Sequence, residues 1–177
     1  MTTLTRLPRP ATGGAAPPGR ALHPQFPALR PDPPALPPLK SPRALAAWRA
    51  TINRAALTRA GTATPAVVLY ALTRPGGDPH ADLATARGYA AAHRLHVADQ
   101  IVDTIGLHDQ ACEDDPTLRR GYARALHLLA DPSSPVQGVV AVSRTAVTSD
   151  GRLYEDQLAL HAARGTALHL VRAETDI

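Results

Sequence analysis

A short buried β-strand is predicted by nine consecutive residues, Ala66-Val67-Val68-Leu69-Tyr70-Ala71-Leu72-Thr73-Arg74. The apolar part of this run has the length of a strand and lacks the three- to four-residue spacing of an amphipathic helix. Pro65 precedes it, and the turn residues Pro75-Gly76-Gly77 follow it. A continuous apolar run is typical of a strand that is covered on both faces, as strands of parallel sheets are.

The chain after this strand alternates between helical and strand patterns. Helices are predicted from Asp78 or Asp82 to residue 93 and over residues 116–129 and 152–164, and strands over residues 95–102, 138–142 and 167–171. A polar loop, residues 103–115, follows the second strand. Strands that alternate with helices of this length imply right-handed crossovers. The predicted fold class for residues 65–177 is therefore α/β, with a three-layer, mostly parallel sheet of four to five strands in flavodoxin-like order.

Proline dominates the start of the chain, where residues 1–42 hold twelve of the eighteen prolines. Proline lacks an amide donor and disfavours helix in the residue before it, which excludes helices and interior strands here. Residues 1–41 are predicted to be a disordered Pro/Arg-rich arm with polyproline-II character. The Pro-x-x-Pro spacing of Pro34-Ala35-Leu36-Pro37 fits a groove-binding ligand, but a semi-rigid linker is the preferred interpretation.

An amphipathic helix is predicted over residues 42–60, with Ser41 as its N-cap. Leu45, Trp48 and Ile52 recur at three- and four-residue spacing and form one apolar stripe. The preferred interpretation is that this stripe docks on the following domain, with the only Trp as its anchor. The alternative is a basic helix that contacts phosphates or a partner.

Charge is distributed unevenly along the chain. Residues 1–60 carry nine basic residues and one acid, Asp32, whereas residues 61–177 carry ten basic and fourteen acidic residues. A basic arm on a mildly acidic body predicts that any contact with DNA or another polyanion lies in the arm. Because eighteen of the nineteen basic residues are Arg, a G+C-rich coding bias is the alternative explanation. The candidate DNA-contacting residues are Arg6, Arg9, Arg20, Arg30, Lys40, Arg43, Arg49, Arg54 and Arg59.

Several classes of protein are disfavoured by composition. The single cysteine, Cys112, excludes an internal disulfide framework and a zinc site built on cysteines. No apolar run approaches the roughly 20 residues of a membrane span, and no apolar segment follows Arg6 and Arg9 as in a secretory signal. The expected location is the cytoplasm, without membrane association.

Two loops carry residues of ligand-binding type. His108-Asp109 and Glu113-Asp114-Asp115 suit a cation, but a solvated acidic loop is the preferred interpretation. Gly76-Gly77-Asp78 lies where doubly wound proteins bind phosphate, but it lacks the G-x-G-x-x-G spacing and is interpreted as a turn. No metal and no cofactor are expected.

The first strand resembles that of the serine recombinases of the resolvase/invertase family, which reads apolar, apolar, apolar, Tyr, Ala, Arg, apolar, Ser. Further likenesses are Asp103 at the end of the second strand, Asp115-Pro116 before the next helix, the third strand Gln137-Gly138-Val139-Val140-Ala141-Val142, and Ala163-Arg164-Gly165 before the last strand. The resemblance implies the fold of the recombinase catalytic domain. It also implies a Ser that attacks DNA phosphate and arginines that hold that phosphate.

The positions that carry this chemistry in the family are filled differently here. Arg74 stands at the Ser position and Leu72 at the Arg position of the first strand, and the family's Asp-Arg-apolar-x-Arg signature is matched by Thr145-Ala146-Val147-Thr148-Ser149. Electrostatic stabilisers of this type are worth about 2.7–4 kcal/mol each, so losing three removes most of the rate enhancement. Thr73 falls on the opposite face of the strand and Arg144 is out of register, so neither is expected to compensate. The degenerate site positions are Tyr70, Leu72, Arg74, Asp103, Thr145, Ala146 and Ser149.

The expected function is that of a non-catalytic resolvase-like domain, a DNA-associated accessory or protein-interaction module. The alternatives are a divergent active serine recombinase, a flavodoxin-like enzyme that binds a phosphorylated ligand at Gly76-Gly77, and a decaying remnant without function. The expected partners are DNA, through the basic arm, and a protein partner or a second copy. The family's C-terminal dimerisation and DNA-reading helices are expected to be absent, because six residues follow Val171.

Overall fold

The computed structural model describes residues 38–61, 64–106 and 109–174. The strands are β1 (Ala66–Thr73), β2 (His96–Thr104), β3 (Val136–Ala141) and β4 (Ala167–Leu170). The helices are α1 (Pro42–Ala60), α2 (His80–Ala92), α3 (Gln110–Asp114), α4 (Arg120–Ala130), α5 (Arg144–Val147) and α6 (Gly151–Arg164), with a three-ten helix at Pro116–Leu118. Nearly all of the predicted arm, residues 1–37, lies outside the described residues.

The four strands form one parallel sheet in the order β2-β1-β3-β4. Tyr70 of β1 lies between Ile101 of β2 and Ala141 of β3. The residues of β1 from Val67 to Ala71 are at most 1% exposed, as their continuous apolar pattern predicts. The predicted α/β class and flavodoxin-like strand order are confirmed.

Helices cover both faces of the sheet. Val68 and Tyr70 of β1 pack in a core with α4, α5 and α6, whereas Val67, Leu69 and Ala71 pack in a second core with α2. Alternate residues of one strand therefore serve two cores. The result is the predicted three-layer arrangement.

The predicted helix over residues 42–60 is confirmed as α1, which packs against β4 and α6. The Ser41 hydroxyl accepts a hydrogen bond from the Ala44 amide at 3.3 Å. Leu45 and Ile52 are buried in the core, whereas Trp48 is only partly buried. The helix docks as predicted, but its anchors are the two aliphatic residues and not the tryptophan.

Two predicted segments differ from the structure for local reasons. The helix predicted over residues 116–129 is broken into two. Asp115 accepts hydrogen bonds from the amide and hydroxyl of Thr117 and so caps the start of a separate three-ten helix. Arg119 is then extended, and α4 begins at Arg120. The predicted loop 103–115 contains α3, which is capped by Asp109.

Candidate functional site

The carboxyl ends of the parallel strands meet at one edge of the sheet, where α/β proteins of this type place their sites. A cleft of about 200 Å³ opens there beside the end of β1. Its lining comprises Leu72, Thr73, Arg74, Ile105, Glu113 and Thr145. Three of the predicted degenerate positions, Leu72, Arg74 and Thr145, are thus brought together.

Arg74, at the position of the family's nucleophile, is engaged by a carboxylate. Its guanidinium lies 2.6 Å from Glu113 Oε1, and its side chain is 58% exposed. Leu72 packs against the core and offers the cleft only an apolar surface. The cleft therefore presents one cation that already has an acidic partner.

Ala146 and Ser149 do not reach the cleft, contrary to the arrangement that linear matching to the family implies. Ser143 caps α5 by accepting the Ala146 amide, and this short helix turns Ala146 into the core, where it is 8% exposed. Ser149 donates its hydroxyl to Asp114 Oδ1 at 2.9 Å. Arg144 also points elsewhere, because its guanidinium lies over the Tyr154 ring and donates to the Ser149 carbonyl.

The buried Tyr70 is paired with the partly buried Asp103 of the neighbouring strand. The Tyr70 hydroxyl donates to Asp103 Oδ2 at 3.0 Å. The same carboxylate accepts the amides of Gly121 and Tyr122 at 2.8 Å and so caps the start of α4. Burial raises the pKa of Tyr70 well above its usual value, so the phenol stays a neutral donor. This pair ties β1, β2 and α4 together.

Arg119 completes this network, and the sequence did not single it out. Its side chain donates to the carbonyls of Cys112, Glu113 and Ala146 and to the Tyr70 hydroxyl. The residue is only 3% exposed. A buried guanidinium used in this way fastens α3 and α5 to β1, and four of its five N–H donors are engaged within the chain.

Backbone amides of the glycine turn after β1 form hydrogen bonds within the turn itself. Gly76 has a φ of 79°, and the Gly77 amide donates to the Arg74 carbonyl at 2.8 Å. The amide of His80, the first residue of α2, donates to Asp78 Oδ1. A carboxylate at the helix start disfavours a bound anion there, so the geometry agrees with a turn and not a phosphate site.

The predicted DNA-contacting residues fall into three groups. Arg6, Arg9, Arg20 and Arg30 lie outside the described residues. Lys40 pairs with Glu155, and Arg49 lies 2.6 Å from the fully buried Glu174, so these two side chains are used internally. Arg49, predicted as a DNA contact, therefore has an acidic partner on its own chain. Arg43, Arg54 and Arg59 are exposed on α1.

The described residues hold neither a metal-ion cluster nor a membrane-spanning helix. Residues 38–61, 64–106 and 109–174 contain no cluster of three or more His, Cys, Asp or Glu side chains suited to a metal ion. His108, which belongs to the cation site considered in the sequence analysis, lies outside these ranges. Among the helices that the structure describes, none combines the length and apolar character of a membrane span.

Solved structures of serine recombinase catalytic domains share this fold. The chain is similar to the C-terminal catalytic domain of ISC1926 TnpA, an IS607-like serine recombinase, with a TM-score of 0.51 and 20% identity over 61% of this chain and 71% of that one. It is also similar to the N-terminal catalytic domain of TP901-1 integrase, with a TM-score of 0.50 and 13% identity over 60% and 76% of the two chains. No family model and no curated protein matches the sequence. These likenesses confirm the fold that the first strand predicts.

Proposed function

We propose that this chain is a non-catalytic relative of the serine recombinases that acts as a DNA-associated accessory or protein-interaction module. The observation that carries the proposal is the Arg74–Glu113 ion pair at the nucleophile position. Where the family has the hydroxyl of its nucleophilic serine, this chain has the guanidinium of Arg74, whose charge is balanced by Glu113.

The surroundings of that pair support the same conclusion. Phosphodiester cleavage needs a nucleophile and several cations that stabilise charge on the phosphate oxygens. Here Leu72 is apolar, Ala146 is in the core and Arg119 is committed to carbonyl groups. Glu113 balances the charge of Arg74, so the cleft offers a phosphate no unpaired cation among its lining residues.

A divergent active recombinase is the second candidate, and the cleft lining gives it one supporting observation. The hydroxyl-bearing residues Thr73 and Thr145 both line the cleft beside Arg74, although strand alternation predicted Thr73 on the opposite face of β1. The Thr73 hydroxyl donates to the Arg74 carbonyl, and the Thr145 hydroxyl lies 2.8 Å from that of Ser143. Neither has a base as its partner, so the non-catalytic function is favoured.

The proposed DNA contact uses the arm and is tested without removing α1. Deleting residues 1–60 would expose the core side of β4, because α1 covers it. We therefore replace Arg6, Arg9, Arg20 and Arg30 together with Gln in the full chain. Binding of a fluorescent DNA duplex should weaken. In a plot of the logarithm of the binding constant against the logarithm of the salt concentration, the slope should become less steep by about 0.9 for each lost phosphate contact.

The control for this experiment is Arg94→Gln, which removes one exposed arginine from the body. Its binding should match that of the unmodified protein. Unchanged DNA binding by the quadruple variant would exclude the arm as the contact. Absence of DNA binding by the unmodified protein would leave the protein-interaction function as the proposal.

A further inference from the structure

The two edges of the sheet differ in how their backbone groups are used. On β4, Asn53 of α1 donates to the Leu168 carbonyl and accepts the Leu168 amide, both at 2.9 Å. A side chain thus takes the place of a neighbouring strand along that edge. On β2, no described element occupies the corresponding position, since β1 is the only described strand that pairs with it.

The groups that face outward on β2 follow from its pairing with β1. The Ile105 amide donates to the Thr73 carbonyl, so Ile101 and Asp103 also direct their backbone groups toward β1. Gln100, Val102 and Thr104 therefore direct theirs outward. Among described residues, the Gln100 amide has one partner, Asp99 Oδ1 at 2.8 Å, and the outward groups of Val102 and Thr104 have none.

Only one half of this edge carries the features that prevent strand addition. Ala98 is an extra residue in the ladder with β1, and bulges of this kind disrupt pairing. Beyond it, residues 100–104 are regular and carry Val102, whose exposure of 40% is high for a β-branched apolar residue. Natural sheets usually protect such an edge with Lys, Pro or a covering element.

We propose that a second copy of this chain pairs with β2 in antiparallel orientation, with Val102 on the two-fold axis. In this register the outward backbone groups of Gln100, Val102 and Thr104 can all form hydrogen bonds with the second copy. Gln100 lies opposite Thr104 of the partner subunit. A register centred on Ile101 would place Asp99 opposite Asp103 of the partner subunit, which like-charge repulsion disfavours. A register centred on Gln100 would place the Ala98 bulge within the pairing.

Two arginines of the neighbouring helices lie beside this edge and are paired within the chain. Arg87 of α2 donates to the Gln100 side chain, and Arg124 of α4 pairs with Asp99. Both cations beside the edge therefore already have polar partners on their own chain. Because the paired segment is short, we expect a weak, reversible dimer that joins two four-stranded sheets into one. The inference does not depend on DNA binding.

The test is sedimentation equilibrium of the full chain between about 1 and 200 μM. The unmodified protein should dimerise reversibly over this range. Val102→Lys should raise the dissociation constant about tenfold or more, because two ammonium groups then face each other across the axis. Leu57→Lys is the matched control, since Leu57 is 41% exposed on α1, and its dissociation constant should not change.

A second variant makes the result specific to this register. Val102→Glu should also weaken self-association, and an equimolar mixture of the Lys and Glu variants should restore a dimer, because opposite charges then meet at the axis. Circular dichroism establishes that each variant is folded. A protein that stays monomeric throughout the range would overturn the proposal, as would a dimer that Val102→Lys leaves unchanged.

Discussion

The carboxamide of Asn53 makes two hydrogen bonds to the backbone of Leu168, one to its carbonyl and one from its amide. Both residues are buried. A helix side chain is thereby joined to the outer edge of β4, where it bonds the backbone as a neighbouring strand would. This contact adds a polar connection to the docking of α1 through Leu45 and Ile52.

Replacing Asn53 with Ala should lower the free energy of unfolding by about 2–3 kcal/mol, because a buried amide and carbonyl lose their partners. Asn53→Asp should also destabilise the protein, since a carboxylate accepts the amide but has no donor for the carbonyl. Urea denaturation measures both. Thr58→Ala, at an exposed site on α1, should stay within about 0.5 kcal/mol. Equal stabilities for all variants would show that the Asn53 contact contributes nothing.

Arg119 is expected to be a structural residue. Arg119→Met leaves three carbonyls without their donor and should lower the free energy of unfolding by about 2–4 kcal/mol. Arg119→Lys should recover little, because an ammonium cannot reproduce the planar fork. Hydrogen exchange should accelerate in residues 110–118 and 144–149. The neighbouring exposed Arg120, replaced with Met, is the control, and a loss of stability as large as that of Arg119→Met would refute the assignment.

Two buried histidines predict a loss of stability in mild acid. Burial, with a smaller contribution from nearby positive charge, lowers the pKa of His161 and of His169 to about 4. The unfolded chain takes up these protons near its ordinary pKa of about 6.5, so stability is complete above that value. It should fall between about pH 6.5 and 4, by on the order of 3 kcal/mol for each histidine.

The measurement is urea denaturation at a series of pH values. His161→Gln should remove about half of this dependence, whereas His127→Gln, at an exposed site on α4, should leave it unchanged. A profile that is flat between pH 6.5 and 4.5 would contradict the burial of both imidazoles.

Local patterns were sufficient to predict most of the fold. The apolar run of β1 and the stripe of Leu45 and Ile52 are short-range signals, and both elements form where they were expected. The break at Asp115 was missed because apolar spacing continued through it, although an Asp-Pro-Thr sequence is typical of a side-chain-capped turn. The helix α5, capped by Ser143, was also missed, because four residues are too few to show a helical period.

The candidate site was predicted only in part, because its contacts join distant residues. Nothing local distinguishes Arg119, which is buried, from Arg120, which is exposed. Arg49 and Glu174 are separated by 125 positions, so no periodicity reveals their ion pair. Linear matching indicated which positions differ from the family pattern, but it could not indicate that α5 places Ala146 in the core.

The central claim, that the domain has lost phosphoryl-transfer chemistry, is tested most directly by incubating the full chain with supercoiled plasmid and separating protein–DNA adducts under denaturing conditions. We expect no covalent adduct and no nicked or linear product from the unmodified protein or from Thr73→Ala. An adduct that forms with the unmodified protein and disappears in Thr73→Ala or Thr145→Ala would contradict the claim and identify the nucleophile.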